Sequence, residues 1–235
     1  NLNGKSVDCR YNEKNKQLIY DTRIEATDVL GQALRQLKNP PRVWINAASA
    51  TIYRHALDRD MDEETGEIGH GFSVDVCRKW EQTFFGAEAP GTRKVALRTA
   101  IVLGREGGAL QPLKNLAKIG FGGPQGKGNQ YFSWLHENDF ARIVDYVIEN
   151  DSLSGVYNAA APHPLTNREV MKALRKAANR PVGLPMPEWL LHFGAWLINT
   201  ETELILKSRR VVPGRLLESG FKFQHSTIEE ALEAF

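Results

Sequence analysis

The chain has 235 residues, with 30 Lys and Arg against 28 Asp and Glu and a formal net charge of +2. A balance so even, with the charges interspersed, offers no electrostatic footprint for nucleic acid, and no apolar run reaches the ~18 residues of a membrane span. Two cysteines, Cys9 and Cys77, cannot make a disulfide framework at this length, which fits a reducing, cytoplasmic setting.

In chain order, residues 13 to 37 read as one helix. Ala26, Val29, Leu30, Ala33, Leu34 and Leu37 recur at three- and four-residue steps and predict its buried face. Asn39-Pro40-Pro41 stops it. A strand follows over 42 to 48, where the apolar Val43-Trp44-Ile45 runs through Asn46 into Ala47-Ala48-Ser49-Ala50-Thr51-Ile52-Tyr53. Ligands of open α/β sheets sit beyond the carboxyl ends of strands, so small hydroxyl residues there mark a candidate site. An ordinary Ser/Thr turn is the alternative. A polar loop, 58 to 71, leads to a second helix over 72 to 85 (Phe72, Val76, Trp80, Thr83 and Phe84 on one face), closed by Gly86 and Pro90-Gly91. Lys94 to Leu103 reads as one buried strand whose polar interruption, Arg98-Thr99, again points to a site.

The segment Gly120 to Gly128 matches a dinucleotide-type glycine string at Gly120, Gly123 and Gly126. It follows a helix and leads into an extended stretch, the reverse of a phosphate-cradling context, and is expected to be a loop or hairpin. A helix is predicted over 138 to 149, with His136 and Asp139 fixing the turn into it. A short strand is predicted over 155 to 160, helices over 166 to 178, 187 to 198, 213 to 219 and 227 to 235, and a short strand at Phe221-Lys222-Phe223. The six histidines show no metal spacing, so no metal is expected.

Three motifs in order resemble the extended short-chain dehydrogenase/reductase superfamily. They are Ser49-Ala50-Thr51-Ile52-Tyr53, Leu97-Arg98-Thr99-Ala100-Ile101-Val102-Leu103-Gly104, and Trp134-Leu135-His136-Glu137-Asn138-Asp139. Gly122-Gly123-Pro124-Gln125-Gly126-Lys127-Gly128-Asn129-Gln130 and Val212 to Phe223 are similar, end to end, to a narrower subfamily. Its members are nucleoside-diphosphate-sugar epimerase-like proteins with a small C-terminal domain of unknown function. Gly214 departs from it, standing where the subfamily carries a basic residue.

The resemblance implies an α/β fold, a doubly wound Rossmann-like parallel sheet, with a small, mostly helical C-terminal substrate portion. Residues 1–104 and 136–160 would form the NAD(P)-binding portion, and 105–135 and 161–235 the smaller one. Asn1-Leu2-Asn3-Gly4 is similar to the end of the family's fourth strand, which makes the sheet N-terminally incomplete. Roughly 60 residues, with the phosphate fingerprint, would precede it in a whole family member. If they are absent, weak dinucleotide binding is expected.

The family's acid/base pair, a tyrosine and a lysine one helical turn apart, is replaced here by Ser73 and Cys77. A serine hydroxyl is far less acidic than a phenol, and a neutral thiol supplies no positive field. The catalytic candidates are therefore Ser49, to orient a substrate oxygen, with Tyr53, Ser73 and Cys77. Ser49, Tyr53 and Cys77 each have a bland counterpart: a hydroxyl capping a strand end, a packing aromatic, a buried cysteine. Ala47, Ala48, Arg98, Thr99, Ala100 and Ile101 are the cofactor-binding candidates, Arg98 with a structural ion pair as the equal alternative. Ala50 and Thr51 stand where dehydratases of this superfamily carry Asp-Glu, which argues against that reaction. The implied cofactor is NADP or NAD. The implied function is an epimerase or oxidoreductase acting on a carbonyl or sugar-nucleotide substrate. The alternative is a non-catalytic NAD(P)-binding regulatory protein. The expected partner is a small molecule, not nucleic acid or membrane, with a homodimer as the candidate assembly.

Overall fold

The computed structural model describes residues 1–191 and 206–235. Its elements are α1 (Glu13–Gln36), β1 (Val43–Ser49), α2 (Phe72–Gly86), β2 (Arg93–Thr99), β3 (Ile101–Leu103), α3 (Leu110–Lys118), β4 (Tyr131–Phe132) and β5 (Trp134–His136). There follow α4 (Glu137–Glu149), β6 (Gly155–Ala159), β7 (Leu165–Thr166), α5 (Asn167–Ala177), α6 (Gly214–Glu218) and α7 (Ile228–Glu233). A helix also starts at residue 188; the rest of the one expected over 187 to 198 lies outside the described residues.

β1, β2 and β6 form a parallel sheet in the order β1-β2-β6, with Ser49 opposite Thr99 and Thr99 opposite Ala159. The three carboxyl ends therefore finish level. The period-two alternation of a strand sends successive side chains to opposite faces. Trp44, Ala48 and Ala96 meet Leu34 of α1 and Phe84 of α2 on one face. Val95, Leu97 and Tyr157 meet Ile143 and Val147 of α4 and Leu216 of α6 on the other. Helices on both faces of a parallel sheet make the doubly wound α/β arrangement that the resemblance implied. A separate apolar core joins α3, α5 and α7, with Leu110, Met171, Leu174 and Ile228 around Trp134. Along the outer edge of β1, the amino group of Asn1 donates to Ile45 O at 2.7 Å, and Ala47 N–H donates to Asn1 O at 2.9 Å. That is the slanted bonding of a parallel neighbour.

Several local expectations differ from the structure. The buried stripe of α1 is Ile19, Thr27, Gly31 and Leu34, whereas Val29, Leu30 and Leu37 of the predicted face are exposed. Close approach to α2 decides this: a Cβ on Gly31 would stand 2.7 Å from Ala87 Cβ, so the small residues, not the large ones, face the neighbour. The strand expected over 94 to 103 breaks at Ala100, where the chain changes partners. Ala100 N–H donates to Ala159 O (2.9 Å) and Ile101 N–H to Ser133 O (3.2 Å), after which β3 pairs with β5. Phe221-Lys222-Phe223 forms no strand; Phe221 N–H instead bonds Leu216 O, closing α6.

Asp139 holds the first turn of its own helix, its Oδ1 accepting from Arg142 Nη1 at 2.8 Å, and reaches beyond it as well. Its carboxylate accepts the N–H groups of Gln224 and His225, both at 2.8 Å, and so ties the C-terminal segment to α4. His136 caps α4, its Nδ1 accepting from Asn138 N–H at 3.0 Å. The glycine-rich segment runs as a loop from α3 to β4. Gly128 has φ 72° and no room for a Cβ, which would lie 2.6 Å from Pro124 Cβ. Glycine is needed there for the turn.

Candidate active site

A cleft of about 440 Å³ opens at the carboxyl ends of β1 and β2. Ala47, Ala48 and Ser49 from β1, Thr99 from β2, and Ser73 and Cys77 from α2 all line it. These residues come together because parallel strands end level and α2 returns antiparallel over them. The position matches the general rule for ligands in open α/β sheets.

Ser49 is both a cap and a part of the cleft wall. Its Oγ accepts from Thr51 N–H at 3.2 Å, capping the 3-10 turn Ala50–Ile52, while the residue also forms part of the cleft wall. A hydroxyl that accepts one bond can still donate another. Ser73 and Cys77 lie one turn apart on α2. Burial pushes the Cys77 thiol up to about 11, and the nearby Glu81 carboxylate adds to the effect, so Cys77 is a neutral thiol at pH 7.

Tyr53 and Arg98 lie elsewhere. Tyr53 is fully buried; its phenol donates to Asn158 Oδ1 at 3.0 Å and accepts from Arg98 Nη1 at 2.9 Å. Burial raises its pKa, against the pull of Arg98. Arg98 donates through Nε and Nη2 to the two oxygens of Glu81, both at 2.8 Å. It precedes Thr99 by one residue, so the strand pleat turns it away from Thr99 and toward α2. Arg98 is thus held in a structural ion pair and is not among the residues that line the cleft. Of the other cofactor candidates, Ala100 packs against the apolar cluster that includes Ile52, Tyr53 and Val74, and Ile101 lines a separate cavity of about 10 Å³ with Gln130 and Asn167. Val102, one residue further on, reaches the cleft instead.

The cleft also holds residues that sequence reasoning did not single out: Arg23 of α1, Trp80 of α2, and Leu2 and Tyr11 of the N-terminal segment. Arg23 is the only charged residue among those described that line it. A signal for it existed. Ile19, Arg23, Thr27 and Gly31 stand four apart, so Arg23 interrupts what proved to be the buried stripe of α1.

Residues 186–235 match a family described as a domain of unknown function, DUF1731. The mouse epimerase family protein SDR39U1 is 33% identical over 229 residues, covering 95% of this chain and 75% of the relative. The crystal structure of human SDR39U1 (isoform 2) with NADPH superposes with a TM-score of 0.89 at 28% identity, covering 99% of this chain and 80% of that one. A nucleoside-diphosphate sugar epimerase from Corynebacterium glutamicum superposes with a TM-score of 0.73 at 28% identity, covering 95% of this chain and 43% of that one. The level strand ends, the cleft beyond them and a likeness that spans almost every residue lead to one conclusion: the chain belongs to the SDR39U1-type epimerase family, with its NAD(P)-binding, Rossmann-like fold.

Proposed function

We propose that the cleft receives the nicotinamide end of NADP or NAD, and that the protein is an NAD(P)-dependent epimerase or oxidoreductase of carbonyl or sugar-nucleotide substrates. The observation that carries this reading is the convergence of Ser49, Ser73, Cys77 and Thr99 on one cleft beyond β1 and β2. The NADPH named for the human relative supports it. The site suits such a group: Ala47 and Ala48 present little side chain, and 440 Å³ falls within the ~300–1,000 Å³ of small-molecule sites. The cofactor supplies hydride chemistry; the chain supplies binding and orientation. Ser49 donates a hydrogen bond to the reacting oxygen, Ser73 adds a second hydroxyl, and Val76 and Trp80 keep that side of the cleft dry.

In this reading, residues 1–104 and 136–160 hold the dinucleotide, and 105–135 with 161–235 shape the substrate side. The separate core around Trp134 supports that division. A second copy of the chain covering the exposed Val29, Leu30 and Leu37 of α1 is the favoured assembly, checked by sedimentation.

One observation favours the second reading, a non-catalytic NAD(P)-binding protein. Tyr53 is sealed behind the cleft and Cys77 stays protonated, so neither takes over from a tyrosine-lysine pair at neutral pH. The test is NADPH consumption over a carbonyl and nucleotide-sugar panel, wild type against Ser49→Ala. Turnover lost in the variant supports the enzyme. NADPH binding without turnover of any substrate supports the second reading, and no NADPH binding by a protein that carries the phosphate fingerprint defeats both.

A further inference from the structure

We propose that Arg23 is the anion-recognition residue of the cleft, and that the substrate it admits beside Ser49 carries a carboxylate or phosphoryl group. This deepens the proposed function, since it concerns the substrate of the same site.

Arg23 rises from the middle of α1 into the cleft wall. Its Nη1 donates to two backbone carbonyls, Lys5 O at 3.0 Å and Ile19 O at 2.9 Å. Its guanidinium carbon lies 5.2 Å from the centre of the Trp80 ring. Trp80 is itself held, its indole N–H donating to Thr27 Oγ1 at 2.9 Å. The guanidinium is thus fixed in place before any ligand arrives.

What it lacks is a counter-charge. No carboxylate among the described residues pairs with Arg23, although the buried Arg98 and the half-buried Arg54 each have one. The groups nearest in charge are the Cys77 thiol and the Tyr11 phenol, and burial lowers the Arg23 pKa. Arg23 is half-buried, and a partly desolvated cation gains from an anion brought beside it. Guanidinium presents five N–H donors in a planar fork. Nη1 is spent on carbonyls, and no bond of Nε or Nη2 to a described residue is seen, so that edge of the fork can take a carboxylate or phosphoryl group through two parallel bonds. The rest of the lining is apolar or hydroxylic, so a charged ligand group has one place to go.

Arg23 also clamps the N-terminal segment through Lys5 O, so a loss of binding in one variant could be structural. The experiment therefore reads preference rather than affinity alone. Ligand-observed NMR would compare D-glucuronate and D-glucose 1-phosphate with D-glucose, with and without NADPH, on wild type, Arg23→Gln and Arg23→Lys. NADPH affinity would be measured separately by fluorescence. Wild type is expected to favour an anionic sugar over glucose by roughly tenfold or more, the scale of a charge-assisted bond. Arg23→Gln loses that preference, Arg23→Lys keeps part of it, and NADPH affinity changes less than threefold in both, to within about 0.65 kcal/mol.

Equal binding of the anionic and neutral sugars by wild type overturns the proposal. So does an unchanged preference in Arg23→Gln with a tenfold loss of NADPH affinity, which would assign the charge to the cofactor's phosphates. If NADPH binds no form of the protein, the dinucleotide reading fails, and the sugar preference still decides the role of Arg23.

Discussion

Arg98 and Glu81 face each other as a fork and its match, Nε to Oε1 and Nη2 to Oε2, both at 2.8 Å and with both side chains almost wholly out of solvent. The pair joins β2 to α2 just behind the cleft. A third donor of the same guanidinium holds the Tyr53 phenol.

Removing one half of this pair leaves a buried charge alone. Arg98→Ala is expected to cost about 3–5 kcal/mol in urea unfolding. Arg98→Lys loses the two-point geometry and falls in between. An Arg98→Ala protein as stable as wild type would show that Glu81 is not held as the structure has it.

Tyr53 and Ser49 should separate stability from binding. Tyr53→Phe leaves Asn158 Oδ1 and one Arg98 N–H without the phenol and should lower stability by about 1–3 kcal/mol. Its effect on NADPH consumption should be small. Ser49→Ala, losing one capping bond on the cleft wall, should cost less stability, about 0.5–2 kcal/mol, and most of any turnover. Reversed outcomes in the two variants would return Tyr53 to the chemistry.

Cys77 should be a slow nucleophile. Its folded-state pKa of about 11 lies above the ordinary value of 9.0, so the folded protein retains the proton longer than the unfolded chain does. The stability this contributes is present below pH 9.0 and is lost as pH rises from there toward about 11. Iodoacetamide should accordingly modify Cys77 slowly at pH 8 and quickly only near its raised pKa, read by mass spectrometry of the native protein. Fast alkylation at pH 7 would mean a thiolate in the cleft.

His136 works in the opposite direction. It stacks on His225 at 3.9 Å and on Phe235 at 4.5 Å, and burial lowers its pKa, reinforced by His225 and opposed by Asp139 and Glu137. A base whose pKa is depressed by folding is neutral in the folded state. Its contribution is therefore complete above the ordinary value of 6.5 and fades as pH falls toward the lowered one. Stability measured from pH 7.5 downward should decline through this window. His136→Asn, which keeps a capping acceptor and does not titrate, should flatten that part of the decline.

Local pattern was enough for much of the architecture. The apolar run ending in Ala47-Ala48-Ser49 marked a buried parallel strand with its open end, and α2 followed from its periodicity, which by itself sets Ser73 and Cys77 one turn apart. These are properties of neighbours along the chain, where backbone geometry fixes the spacing of side chains.

Other features needed the fold. Periodicity shows that α1 has an apolar face, but only the approach of α2 to Gly31 selects Ile19, Arg23, Thr27 and Gly31 as the inner stripe and leaves Val29 and Leu37 outside. Tyr53 and Arg98 looked like site residues because both are polar groups near strand ends, yet they satisfy each other and residues 105 and 17 positions away, Asn158 and Glu81. A buried polar group takes whichever partner the packed chain brings within reach, and no spacing in the sequence records that choice.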